Sequence, residues 1–266
     1  MYLAIDVGGT KTLLATFSAR GRLQNSVRFP TDPDQHRWLI TVLEHLKTEF
    51  DLSHTQAAAI ALPGPVQNNK PVFYGNLPWG SYDIGEEVSR ILKIPVTVAN
   101  DARTSALAEG RRFRTGRSLF ITLSTGIGVG VVNRGKLDPE FTTYEPGHAK
   151  FNWQGKTLEW EDIASAKAVS TLYKRPVDTI TNADHWDDIA DRIAIGLAPV
   201  VSATRPTRII FGGPLGEMLP RYRERLREAI KLNHAPPVRV PRMINTKHGA
   251  DSVLYGCYIL ASSLKK

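Results

Sequence analysis

The sequence predicts an α/β fold made of two related halves that face a central cleft. Three observations predict it. Strand-like apolar runs alternate with helix-period segments along the whole chain. Two triplets of short strands, one starting at Tyr2 and one near Leu119, open the two halves. Each triplet carries a glycine-bearing turn between its first two strands. The halves are expected at 1–99, completed by a C-terminal helix within 250–266, and at 100–249.

Residues 2–6 (YLAID), 12–17 (TLLATF) and 23–29 (LQNSVRF) read as strands separated by Gly-containing turns. A helix follows with Pro33 near its start, and Trp38, Val42, Leu46 and Phe50 repeat along one face. Residues 57–62 (AAAIAL) form a buried strand that the breaker Pro63-Gly64-Pro65 ends. Ile84, Val88, Ile91 and Leu92 mark a second helix, which stops before Pro95. A strand over 96–99 then delivers Asn100 and Asp101 to its carboxyl end. From Ser118 the order restarts, with strands at 119–123, 127–132 and from Lys136. Helices are expected at 160–173, 186–203 and 215–232, with a strand at 208–211. The last helix, about 250–264, has Leu254, Cys257, Tyr258 and Ala261 at core spacing.

Bulk composition narrows the function classes. The chain has 266 residues, 42% hydrophobic and 23% charged, which is ordinary for a soluble globular protein. No apolar run approaches the ~20 residues needed to cross a bilayer. The start, MYLAID, lacks the basic and apolar regions of a secretory signal, so a cytoplasmic location is expected. A single cysteine, Cys257, excludes an internal disulfide framework and a cysteine-cluster zinc site. The net charge of +8 raises the question of nucleic acid. Its densest basic stretches, RRFRTGR from Arg111 and RYRERLR from Arg221, have few aromatics, and glutamates break up the second. They read as solvated surface that attracts anionic substrates, and neither nucleic acid nor membrane is expected as a partner.

The chemistry-bearing stretches begin with DVGGTKT. Gly8-Gly9 lets backbone N–H groups approach an anion, and Thr10 adds a hydroxyl. The spacing matches neither the Walker loop nor the dinucleotide fingerprint. Asp6 precedes this turn, and a carboxylate beside phosphate needs a cation between them. Asp6 is therefore the expected Mg²⁺ position, reached directly or through water. The second turn, LSTGIGVGVV, supplies Ser124, Thr125, Gly126 and Gly128. Two such turns at equivalent places suggest one shared phosphate-binding role.

In VANDARTSALAEG, Asp101 closes a strand and opens a helix. A lone Asp there is most often a cap, but in a cleft it can take the proton of a substrate hydroxyl. Asn100 can both donate to and accept from sugar hydroxyls. Glu145 and His148 flank the Pro146-Gly147 turn, and Glu161 lies on the next helix. Together they would clamp a polyol; sequence spacing alone does not bring them together.

Taken in order, AIDVGGTKT, ALPGPV, GNLPW, ANDA, AEG, TLSTGIGVGVV, EPGH, IAS and IIFGG resemble the ROK family (repressor, open reading frame, kinase). The resemblance runs from the first strand to the last helix and implies the two-lobed sugar-kinase/actin/Hsp70 (ribonuclease H-like) fold. It implies ATP-dependent phosphorylation of a hexose, glucose at the 6-hydroxyl foremost, with an N-acetylhexosamine or fructose as alternatives. Asp101 becomes the general base. Gly64, Asn76, Asn100, Asp101, Glu145, His148 and Glu161 fall on the substrate side. Asp6, Gly8, Gly9, Thr10, Lys11, Ser124, Thr125, Gly126, Gly128, Gly212 and Gly213 fall on the ATP side. Family members are often dimers, which makes a homodimer the implied assembly. Repressors of the family carry a DNA-binding segment ahead of the first hairpin, which here starts almost at Met1; a non-catalytic sugar sensor is the remaining rival. Many relatives carry a zinc loop, CxCGxxGC, before the sugar-binding Glu. Here residues 152–159 (NWQGKTLE) stand in its place without a cysteine, so no structural zinc is expected and His148 needs another brace.

Overall fold

In the computed structural model, which describes residues 1–80, 82–233 and 240–264, the chain forms two compact units. One comprises Met1–Ala108 with Asp251–Lys266, the other Glu109–Ala250.

The first unit opens with β1 (Tyr2–Val7), β2 (Lys11–Phe17) and β3 (Leu23–Pro30) as an antiparallel meander. It continues through α1 (Gln35–Glu49), β4 (Ala57–Leu62), the short pair β5 (Val66–Gln67) and β6 (Lys70–Pro71), α2 (Ile84–Leu92), β7 (Val96–Asn100) and α3 (Asp101–Gly110). Its main sheet has the order β3-β2-β1-β4-β7, with β1, β4 and β7 parallel. Alternation along β1 sends Leu3, Ile5 and Val7 into a core with Trp38 and Val42 of α1 and Val88 of α2. Asp34 caps α1 by accepting from the His36 and Arg37 N–H groups, so the helix starts two residues beyond Pro33.

The second unit repeats the plan. It holds β8 (Arg117–Leu123), β9 (Ile127–Asn133), β10 (Lys136–Leu137), β11 (Lys150–Trp153), β12 (Lys156–Glu159), α4 (Trp160–Ala164), α5 (Ala166–Tyr173) and α6 (Ala183–Thr204). Next come β13 (Arg208–Gly212), α7 (Gly213–Glu217), α8 (Leu219–Leu232) and β14 (Arg242–Asn245). The sheet order β10-β9-β8-β13-β14 has the same sequence of antiparallel and parallel pairings as the first. The helix expected over 160–173 divides at Ser165, whose hydroxyl accepts the Ala168 N–H and starts a new helix. The helix expected over 215–232 divides at Met218, because Pro220 sits in the first turn of α8. The hairpin β11–β12 and strand β14 are elements that sequence reading missed.

The last helix, α9 (Ser252–Ser263), returns to the first unit. Leu254, Cys257 and Ala261 pack on Tyr2, Ala4, Ala57, Ala59 and Ala61. The small residues of β4 let the helix lie close to the sheet. At Gly256 a Cβ would stand 2.0 Å from the Thr104 carbonyl oxygen, so α9 and α3 touch backbone to side-chain-free backbone. This contact explains why the compact unit extends to Ala108, into α3, whereas the sequence-based boundary fell at 99.

Candidate active site

Parallel strands put their carboxyl ends at one edge of a sheet, and in the first unit that edge gathers the candidate residues. Asp6 of β1 pairs with Ala61, and Leu62 pairs with Asn100 at the end of β7. Beyond β1 the chain turns through Gly8, Gly9 and Thr10, closed by the Gly8 N–H donating to the Lys11 carbonyl at 2.9 Å. The turn is braced from beneath. Thr31 donates its hydroxyl to the Gly8 carbonyl (2.8 Å) and meets the Thr12 hydroxyl (2.9 Å), which also accepts from the Trp38 indole (2.9 Å). Among the described residues, the Gly9 and Thr10 N–H groups have no protein acceptor. Asn76 lies alongside: a Cβ on Gly9 would be 3.9 Å from its Cβ.

Asn100 is the cap of α3. Its Oδ1 accepts the Arg103 N–H (3.0 Å), while its Nδ2 donates to the Gly64 carbonyl (3.1 Å). Gly64 is required by the backbone: its φ is +88° and a Cβ would stand 2.6 Å from the Phe73 carbonyl oxygen. Asp101 follows in the first turn of α3, with Oδ1 accepting the Ala102 N–H at 2.6 Å and Oδ2 left over. Burial pushes the Asp101 carboxyl up to about 6, against the pull of the backbone N–H groups of Ala102 and Asp101. Asp6 is pushed up to about 7, first by burial and then by the Asp101 charge, with Arg28 opposing. Two buried acids, the charge of one raising the other's cost of ionisation, suit a divalent cation, so the donor set fits Mg²⁺.

In the second unit the turn Ser124-Thr125-Gly126 joins β8 to β9 and is closed by Ser124 N–H donating to the Gly126 carbonyl at 3.0 Å. The Thr125 and Gly126 N–H groups, among the described residues, likewise have no protein acceptor. Neither turn uses a left-handed glycine at Gly8, Gly9 or Gly126; Gly8 and Gly126 are there for space, a Cβ on Gly8 standing 3.0 Å from the Lys11 carbonyl oxygen. A Cβ on Gly126 would lie 2.6 Å from Glu161 Oε2, and that same oxygen accepts the Ile127 N–H at 3.3 Å. Gly128 lies within β9, paired with Thr122, and is a strand residue, not a turn residue. Gly213 (φ +77°) begins α7 directly against the Leu123 backbone, where a Cβ would meet its carbonyl oxygen at 2.6 Å. Gly212, at the end of β13, is held close to Phe120 and Thr246. The double glycine therefore places α7 beside the second turn. A cavity of about 410 Å³ opens there, lined by Ser124, Thr125, Lys167, Val177, Pro214 and Met218, among others.

Glu145, His148 and Glu161 also belong to this unit. Pro146–His148 forms a short 3-10 turn, and Gly147 fits only because a Cβ would stand 2.3 Å from the Ile127 carbonyl oxygen. His148 Nδ1 lies 2.9 Å from Glu159 Oε2 and 3.9 Å from Glu161 Oε1. The Glu159 hydrogen bond, followed by the charges of Glu161, Glu159 and Glu145, raises the imidazole pKa, although desolvation opposes them. Glu159 is the residue that sequence reading missed. It stands at the last position of the segment where the family resemblance would put cysteines, and β11–β12 pairing sets it opposite Lys150, just beyond His148. No thiol lies in residues 152–159, and Cys257 is buried in α9 of the other unit, so the residues do not fit a cysteine zinc site. The close approach of His148, Glu159 and Glu161, within 4.8 Å, goes with the His148–Glu159 hydrogen bond, the His148–Glu161 ion-pair distance and the hold of Glu161 on the Ile127 N–H.

Two sheets of one plan, each with a glycine hairpin between its first two strands, are the arrangement of the sugar-kinase/actin/Hsp70 fold class. A ROK structure, the glucokinase from Streptomyces griseus in complex with glucose and AMPPNP, has a TM-score of 0.80 at 21% identity, covering 98% of this chain and 99% of that one. The family model of the ROK family matches residues 2–263, and the chain belongs to that family. It is 30% identical over 231 residues to the Bacillus subtilis (strain 168) protein named "Putative fructokinase", covering 79% of this chain and 75% of the relative. It is 26% identical over 300 residues to the N-acetyl-D-glucosamine kinase of Escherichia coli O127:H6 (strain E2348/69 / EPEC), covering 98% and 99%.

Proposed function

We propose that the protein transfers the γ-phosphoryl group of ATP to a hexose hydroxyl, the 6-hydroxyl of glucose foremost, with Asp101 as general base. The observation that carries this reading is Asp101 itself. Its carboxyl stands at the carboxyl end of β7, raised to about 6 by burial, with one oxygen held by the Ala102 N–H and the other available. At neutral pH such a group is ionised yet more basic than an ordinary carboxylate, which suits proton abstraction from a hydroxyl. The hydroxyl oxygen bonds to the γ-phosphorus, its proton passes to Asp101, and the bond to the ADP oxygen breaks.

The remaining residues bind and orient. Gly9, Thr10, Thr125 and Gly126 offer N–H groups to phosphate oxygens, with the Thr10, Ser124 and Thr125 hydroxyls and the Lys11 ammonium beside them. The 410 Å³ cavity next to Ser124 suits a nucleoside, with Val177, Pro214 and Met218 as apolar wall. Asp6 would hold Mg²⁺, which when bound supplies neutralisation of the phosphate charge. Glu145, His148 and Glu161 are assigned to sugar hydroxyls. Asn100, fixed by its cap and by Gly64, presents its remaining amide capacity, and Asn76 lies beside the first turn.

A second acceptor class comes from the sequence relatives, which carry fructokinase and N-acetylglucosamine kinase names at 30% and 26% identity. The test is ADP release, coupled to an optical readout, across glucose, mannose, fructose, N-acetylglucosamine and N-acetylmannosamine. One preferred hexose is expected. Release with none of them sinks the kinase reading.

A further inference from the structure

We propose that Glu159 is a positioning residue for sugar binding, holding the Nδ1 edge of His148 so that Nε2 is presented to the hexose; this role rests on the kinase reading above. The backbone that carries His148 is fixed without help from Glu159. The 3-10 turn presses Gly147 onto the Ile127 carbonyl, and the Trp160 N–H donates to the Ala149 carbonyl at 2.9 Å. Trp160 in turn is fully buried against Gly196. The imidazole is different. Its side chain is 56% exposed, and an exposed histidine on a fixed backbone still samples several rotamers and both tautomers.

What removes that freedom is the hairpin. Gln154 and Gly155, both with positive φ (+49° and +78°), turn the chain back on itself. The ladder Lys150↔Glu159, Phe151↔Leu158, Asn152↔Thr157 and Trp153↔Lys156 then returns Glu159 to the turn that carries His148. At 2.9 Å from Nδ1, Glu159 Oε2 accepts its proton and so selects the tautomer and ring orientation. Nε2 is left as the ligand-facing nitrogen.

The charged groups around the ring give Glu159 a second consequence. Besides Glu159 itself, from β12, the groups that act on His148 are Glu161 from α4 and Glu145 from its own turn. Glu161 Oε1 is already 3.9 Å from Nδ1, while its other oxygen holds the Ile127 N–H at the second glycine turn. Were Glu159 absent, Glu161 would become the nearest acceptor for Nδ1, and satisfying it would pull that carboxylate off Ile127. Glu159 therefore keeps His148 oriented and leaves Glu161 on the glycine turn.

The experiment compares Glu159→Ala and Glu159→Gln with the wild type, using the sugar found by the ADP-release screen, and titrates His148 by NMR of ¹⁵N-imidazole-labelled protein. Glutamine keeps an acceptor but no charge; alanine keeps neither. The expected result is a sugar KM raised on the order of tenfold in Glu159→Ala, with kcat within about twofold and the ATP KM little changed. Glu159→Gln restores most of that KM. In both variants the His148 pKa falls toward that of a free imidazole, and the Nδ1–H tautomer preference is lost only in Glu159→Ala. Unchanged sugar KM in Glu159→Ala, or an unchanged tautomer and pKa for His148, overturns the proposal. The hairpin is at the surface, and a circular-dichroism melt matching the wild type confirms that the variants are folded. If no sugar is phosphorylated by the wild type, the kinase reading fails, and the NMR titration still decides whether Glu159 orients His148.

Discussion

At the first glycine turn, neutral groups do the bracing: Thr31 and Thr12 hydroxyls, backed by the Trp38 indole, hold the Gly8 carbonyl from below. At the second, the equivalent brace is an anion, Glu161, brought from 34 residues downstream to the Ile127 N–H. Both turns expose two consecutive N–H groups, yet their electrostatics differ. The acids near the first, Asp6 and Asp101, are buried and raised, and the Asp101 charge opposes the ionisation of Asp6, an arrangement that suits a cation. The acids near the second surround an imidazole whose pKa they raise, so that cluster supplies its own positive partner. Equal sheet topology thus supports unequal chemistry: one turn suits metal-bound phosphate, the other a phosphate beside a hydroxyl-binding carboxylate pair.

The largest test of this contrast is Asp101→Asn. Amide for carboxylate keeps the Ala102 N–H acceptor but removes the base, so kcat should fall by ~10²–10⁴-fold. Sugar affinity, measured calorimetrically without nucleotide, should stay near the wild-type value. In the wild type kcat/KM should decline as pH drops through about 6, because the raised Asp101 pKa is where the base is lost. A variant that turns over normally would remove Asp101 from the mechanism and, with it, the functional distinction drawn for the first unit.

A smaller effect separates the two turns themselves. Gly126→Ala would place its Cβ 2.6 Å from Glu161 Oε2, and the carboxylate, as the end of a flexible chain, gives way and leaves Ile127. The fold tolerates this, while the sugar KM rises on the order of tenfold. Gly9→Ala meets only Asn76 Cβ at 3.9 Å, an ordinary contact, so its sugar KM should stay within about twofold and its cost should fall on ATP. Equal effects of the two substitutions on sugar KM would erase the asymmetry.

Much of the fold was legible because it is written locally. The two strand triplets, the breaker at Pro63-Gly64-Pro65 and the delivery of Asn100 and Asp101 to a strand end all follow from short-range pattern, and the structure has them. The missed parts depend on distance in sequence. Nothing around Glu161 announces that its carboxylate reaches Ile127, and nothing near Glu159 announces His148. The hairpin Lys150–Glu159 did leave a signal, since Gln154-Gly155 takes the two positive-φ positions of a tight turn. Asn-Gly is the stronger marker of such turns, and the segment lacks clean alternation, so local pattern does not separate it from a loop. At both glycine turns the sequence points to backbone N–H groups brought up to an anion. Gly8 and Gly126 also give clearance, to a carbonyl and a carboxylate, which no local pattern encodes.

The smallest expected effect probes the first turn through stability and needs no substrate. Asp6 has a folded-state pKa of about 7 against an ordinary value of 3.8, so folding favours its protonated form. The sign follows from linkage: that contribution is fully present below about pH 3.8 and is lost as pH rises through about 7. At pH 8 without divalent cations, the wild type therefore bears the cost of an ionised, buried Asp6 facing Asp101. Asp6→Asn cannot ionise and should be more stable there by on the order of 1–2 kcal/mol, although it would lose Mg²⁺-dependent activity. The advantage should shrink as pH falls through 7 and disappear near pH 4, where both forms are neutral at this position. Adding Mg²⁺ at pH 8 should narrow the same gap by stabilising the wild type alone. Denaturant melts of both proteins at pH 4, 6 and 8 measure it. A variant less stable than the wild type at pH 8, or an offset that does not change with pH, would mean that Asp6 is settled as an anion by its surroundings, and the case for a cation at the first turn would fall with it.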